Sequence, residues 1–80
     1  MLKPLVWNLG KNSKLKEDRG ISFEEVQECI LRGAFIIGKV QSKNYPNQGC
    51  FFVTIRRKRW TVPFKEYQAH IFLFTIFPRV

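Results

Sequence analysis

The feature that most constrains the fold of this chain is a run of four cations, Arg56-Arg57-Lys58-Arg59, between two apolar segments of strand-like composition. Cys50-Phe51-Phe52-Val53-Thr54-Ile55 precedes it and Trp60-Thr61-Val62-Pro63-Phe64 follows it. β-Branched and aromatic residues at this density favour extended backbone, and polar punctuation between two such runs marks a hairpin. With Ile55 opposite Trp60, alternation puts Phe51, Val53, Ile55, Trp60, Val62 and Phe64 on one face. Thr54, Arg56, Arg59 and Thr61 fall on the other, so the ribbon has a core side and a cationic side. Arg57 and Lys58 occupy the exposed tip. A two-residue loop would force positive φ on both at about 1–2 kcal/mol each, so a looser loop is expected. Four neighbouring cations repel one another, and the usual compensation is an anionic partner, most often phosphate.

Over the whole chain, fourteen Lys and Arg against six Asp and Glu give a net charge of +8 on 80 residues. A balance this basic favours nucleic acid or an acidic protein as partner. The length implies one domain, residues 1–80, and 45% hydrophobic content implies a folded core. Cys29 and Cys50 lack metal or multi-bridge spacing and read as reduced core cysteines. With His70 as the single histidine and no phosphate-binding glycine motif, neither a metal nor a cofactor is expected. Met1-Leu2-Lys3-Pro4-Leu5 leads into polar sequence, and the apolar tract at 67–78 is too short to cross a bilayer. A cytoplasmic location without membrane association is the expectation.

The remaining elements follow from caps and periodicity. Residues 2–7 read as a short strand. Asn8 caps a polar helix reaching Arg19, with Gly20 as its stop. Ser22-Phe23-Glu24-Glu25 is a capping box, followed by Phe23, Val26 and Ile30 at helical spacing and ended by Gly33. Strands are expected from Ala34 to Val40 and from His70 to Phe77, with a polar loop from Gln41 to Gly49 and a turn from Lys65 to Ala69. The order β-α-α-β-β-β-β predicts an α+β fold, an antiparallel sheet with two helices on one face. In the last strand Ile71, Leu73, Thr75 and Phe77 alternate with Phe72, Phe74 and Ile76. Both of its faces are apolar, and the one away from the helices is expected to be an interaction surface.

This inventory is compatible with one reaction class, metal-free cleavage of RNA by its own 2′-hydroxyl. Such a site needs cations around the phosphorane and groups that take and give protons. Arg56, Arg59, Lys65 and Arg79 can supply charge, and Glu66, Tyr67 and His70 can move protons. Trp60, Tyr45 or an outward Phe can stack an unpaired base.

The stretch Trp7-Asn8, Lys11, Arg19-Gly20-Ile21-Ser22-Phe23-Glu24-Glu25-Val26 resembles the N-terminal signature of BrnT-like toxins of type II toxin–antitoxin modules. Asn44-Tyr45-Pro46-Asn47-Gln48, Val62-Pro63-Phe64, Ile71-Phe72-Leu73 and Thr75-Ile76 with Pro78 follow in the same order. The resemblance implies a RelE-like fold and an endoribonuclease that inhibits translation. It also implies a small ribbon-helix-helix antitoxin, expected to cover the apolar face of the last strand. Lys11, Arg19 and Arg79 are the family-supported catalytic candidates, and His70 joins them as a proton-transfer candidate. Arg56, Arg57, Lys58, Arg59 and Lys65 are nucleic-acid-binding candidates on charge and placement alone. The chain departs from the family at Asn8 (usually Asp), Arg19 (usually His) and Phe74 (often Lys), and in its short ending Pro78-Arg79-Val80. Arg19 cannot serve as a base at neutral pH. These departures define the alternative reading, a non-catalytic relative that binds nucleic acid or antitoxin.

Overall fold

Two side-chain caps start the two helices. In the computed structural model, which describes residues 3–40 and 48–79, Asn8 Oδ1 accepts the Lys11 amide at 2.9 Å and opens α1, Leu9–Arg19. Gly20 closes α1 with φ of 65°, the left-handed conformation that favours glycine. Ser22 Oγ accepts the Glu25 amide at 3.3 Å and opens α2, Phe23–Leu31. Glu24 and Glu25 lie in its first turn, where the helix dipole favours negative charge. The polar α1 buries only Asn12 and Leu15. Asn12 bridges the helices: its Oδ1 accepts the buried Phe23 amide and its Nδ2 donates to Glu24, both at 2.8 Å.

Six strands complete the α+β architecture: β1 Leu5–Trp7, β2 Ile36–Val40, β3 Gln48–Ile55, β4 Lys58–Glu66, β5 Ile71–Leu73 and β6 Phe77–Pro78. They form one sheet in the order β1-β5-β4-β3-β2, with β6 also paired to β4. The sheet is mixed, not wholly antiparallel, because β1 runs parallel to β5 with Leu5 opposite Ile71. The helices supply Leu15, Ile21, Phe23, Val26, Cys29 and Ile30 to a core that the sheet completes with Phe51, Val53, Trp60, Val62, Ile71, Leu73 and Ile76. Most of the polar loop expected at 41–49, including Tyr45, lies outside the described residues. No helix among the described residues is long and apolar enough to cross a membrane.

The β3–β4 hairpin differs from the expected register by two residues. Val53, not Ile55, stands opposite Trp60, and Ile55 faces Lys58. A shift of two leaves every strand side chain on its expected face, because strand periodicity is two. The connection is a two-residue turn at Arg56-Arg57, with φ of 52° and 67°, in place of the looser loop around Arg57 and Lys58. These are the signs of the turn type that matches the twist of paired strands.

The last strand departs from simple alternation. Phe64 pairs with Leu73, but Thr61 pairs with Phe77, so Phe74, Thr75 and Ile76 lie opposite only Val62 and Pro63. One extra residue has been inserted, a β-bulge, and it reverses the phase of everything after it. Pro63 accounts for its position: proline has no N–H to give a central ladder, and its carbonyl accepts the Phe74 amide at 2.9 Å. Ile71, Leu73 and Ile76 therefore face the core. Phe77 pairs with Thr61 on the helix-free face, not beside Ile71 and Leu73 as strict alternation requires.

Candidate nucleic-acid interface

The hairpin turn, the end of α1 and β6 meet at one end of the sheet. Arg56 donates to the Glu25 carboxylate and to the Gly20 carbonyl. Expected on the solvent face beside Thr54 and Arg59, it instead clasps the hairpin to the start of α2 and the end of α1. The reason is local: a left-handed turn residue belongs to neither alternating row of a strand. Next to Gly20, Arg19 Nη1 donates to the Ile76 carbonyl at 2.6 Å. It thereby satisfies a carbonyl that the bulge withdraws from the β4–β6 ladder.

Arg59 stands opposite Thr54, and its carbonyl accepts the Arg79 amide at 2.9 Å. Continuing the Trp60–Pro78 register by one residue makes Arg59 and Arg79 cross-strand neighbours on the helix-free face. Like charges directly opposite each other destabilise a strand pair. The Arg79 guanidinium lies over the Phe52 ring, 4.4 Å from its centroid, which fixes its direction across the sheet. Arg57, Lys58, Arg59 and Arg79 are exposed, and among the described residues none of them is paired with a carboxylate. The clustered charge is thus held by backbone geometry and packing, with no carboxylate among the described residues to offset its repulsion.

Lys65 and His70 lie apart from this group. They belong to the opposite end of β4, where Glu66 pairs with Ile71. The Lys65 ammonium sits 5.5 Å from the Tyr67 ring centroid, and the His70 ring stacks on Tyr67 at 4.8 Å. The strand between Arg59 and Glu66 covers about 20 Å, too far for His70 and Arg79 to act on one phosphate. Lys11 lies in the first turn of α1, with no hydrogen bond or ion pair from its side chain to the hairpin among the described residues. Lys11, Arg19, Arg79 and His70 therefore do not form one catalytic cluster. Trp60, a stacking candidate, is 4% exposed and belongs to the core.

A cleft of about 330 Å³ between α2 and the hairpin is lined by Glu25, Glu28, Cys29, Arg32, Thr54, Ile55 and Arg56. Its mixture of signs suits a polyanion less well than the turn beside it. Both cysteines are buried free thiols, and burial raises the Cys50 thiol above its ordinary value. The Glu24 carboxyl is lowered, chiefly by the hydrogen bond from Asn12. Among the described residues no group of three or more His, Cys, Asp or Glu is placed to hold a metal ion. Comparison of the chain with protein-family models, with curated proteins and with solved structures gives no match.

Proposed function

We propose that this protein binds RNA through the cationic end of its sheet and acts as the toxin of a type II toxin–antitoxin pair. In this reading it is a metal-independent endoribonuclease of RelE-like fold that stops translation until a small antitoxin neutralises it. The observation that carries RNA binding is the cross-strand pair Arg59 and Arg79, flanked by exposed Arg57 and Lys58 with no carboxylate among the described residues to offset them. A phosphate between the two arginines would turn their repulsion into shared attraction. The toxin assignment rests on the ordered resemblance that begins at Trp7-Asn8 and runs through the capping box at Ser22.

A second reading, an RNA-binding relative that does not cleave, is favoured by the placement of His70 at the far end of β4 and by the commitment of Arg19 to the Ile76 carbonyl. Incubating the purified protein with RNA in the presence of a chelator separates the two. Fragments ending in a cyclic phosphate are the toxin outcome, and salt-sensitive binding to intact RNA is the outcome for the relative. Arg59→Ala with Arg79→Ala should make the slope of log K against log salt shallower by about 0.7, the contribution of one phosphate contact on a single strand. An unchanged slope in that variant rules the arginine pair out as the phosphate site.

A further inference from the structure

The face of the sheet turned away from the helices carries aromatic rings in register with cations. Its rows follow from the strand pairing. Thr54, Arg59 and Arg79 form the first row, and Ile36, Phe52, Thr61 and Phe77 the second. Gly38, Cys50 and Pro63 form the third, with Phe74 donating its amide to Pro63. Val6, Phe72 and Lys65 form the fourth. Successive rows on one face lie about 7 Å apart.

Phe52, Phe72, Phe74 and Phe77 are all half-buried, while Cys50, Thr61 and Pro63 beneath and between them are buried. The rings are therefore seated on the sheet with part of each surface open. Phe72 and Phe74 meet edge to face at 5.3 Å, and Gly38 makes room for Phe52, since a Cβ there would lie 2.4 Å from the ring. Charge on this face has one sign. Arg59 and Arg79 stand at one end and Lys65 at the other. Every carboxylate side chain of the chain lies elsewhere: Glu17 and Asp18 on α1, Glu24, Glu25 and Glu28 on α2, and Glu66 turned to the opposite side of β4 and paired with Lys3 at 2.7 Å.

We infer that this face is a stacking platform for the unpaired bases of a single-stranded nucleic acid. Phe72, Phe74 and Phe77 offer the stacking surfaces, with Phe52 seated beneath Arg79, while Arg59 and Arg79 at one end and Lys65 at the other hold phosphates. Charge complementarity selects this occupant. A second copy would bring +8 against +8, whereas a nucleotide strand brings a flat ring and a negative charge at each repeat. The inference rests on the RNA-binding reading above and adds base contact to phosphate contact.

The test measures binding of short fluorescent oligoadenylate, oligouridylate and an abasic strand of equal length, each across a salt series. The wild type should bind the base-bearing strands roughly 5- to 100-fold more tightly than the abasic strand, the range expected for one or more stacked bases. Phe72→Leu with Phe74→Leu keeps apolar side chains on the sheet and should erase most of that ratio while leaving the salt slope unchanged. Phe77→Leu, made separately, guards against a folding defect at the bulge, and near-ultraviolet circular dichroism confirms the native core in each variant. Equal affinity of the wild type for abasic and base-bearing strands overturns the platform but leaves the arginine site standing. No binding of any strand at low salt overturns both. Binding of a polyglutamate peptide that the leucine variants lose assigns the face to an acidic protein segment, and a concentration-dependent dimer that they abolish assigns it to a second copy. Either result overturns the inference.

Discussion

Arg57→Gly tests the hairpin most directly, because its effect can be worked from one backbone angle. Arg57 has φ of 67° and is exposed, and no ion pair or side-chain hydrogen bond among the described residues holds it there. An L residue in the left-handed region costs about 1–2 kcal/mol, and glycine enters it without that steric term. Glycine gives back part of the gain, about 0.5–1 kcal/mol, through the greater freedom of its unfolded chain. Removing one cation from the turn adds a smaller term of the favourable sign. The net expectation is stabilisation of about 1 kcal/mol, a rise of roughly 4–8 °C in Tm for a domain of this length. Thermal unfolding by circular dichroism is the assay, with Lys58→Gly as control. Lys58 opens β4 opposite Ile55, so glycine there should lower Tm. Were the tip formed by Arg57 and Lys58, both substitutions would raise it. A fall in Tm for Arg57→Gly refutes the turn assignment and the register built on it. The same variant should bind RNA less tightly, which makes the arginine a residue retained against the preference of its own backbone.

Asn12→Ala should destabilise the protein by about 1–3 kcal/mol in urea unfolding, since it strands the buried Phe23 amide. Asn12→Asp keeps an acceptor for that amide but sets a second carboxylate against Glu24, so it should also destabilise at pH 7 and recover part of the loss as pH falls and one of the pair is protonated. The Asn12 bond to Glu24 also has a pH signature. Because the folded Glu24 carboxyl is lowered from its ordinary value of 4.5, its contribution is present above that pH and is lost as pH falls through the lower folded value. The stability gap between wild type and Asn12→Ala should accordingly narrow from pH 6 to pH 3, and a gap that widens contradicts the sign. Gly38→Ala forces a Cβ into the Phe52 ring and should destabilise by about 1–3 kcal/mol, with a displaced Phe52 signal by NMR. Cys50, buried and raised, should resist a thiol reagent at pH 8 until the protein unfolds, and rapid labelling of the native state would contradict its burial.

Local chemistry made much of the fold legible. Asn8, Gly20 and Ser22 mark their helix boundaries because a cap satisfies backbone groups within a few residues of itself. The hairpin faces were legible for a similar reason, since alternation survives a slip of two residues even when the opposed pair is misassigned. The bulge had a signal in Pro63, a residue without an N–H inside a run that reads as a central strand. Its consequence, turning Ile76 inward and Phe77 outward, appears only when the two strands are laid side by side. In the sequence Asn12 is one more polar residue of a polar helix. Its value comes from Phe23, eleven positions later, whose amide it accepts.

The basic run at residues 56–59 shows where sequence alone stops. Its composition determined that this part of the protein carries excess positive charge next to two strands, because charge and strand preference belong to the residues themselves. The division of labour within it was decided by tertiary structure. Arg56 is drawn to Glu25 and Gly20, Arg59 acquires Arg79 as a neighbour, and His70 is carried about 20 Å away along β4. The physical reason is one of range. Propensity and alternation act between near neighbours, whereas the partners of a charge are set by how the sheet and helices bring distant segments together.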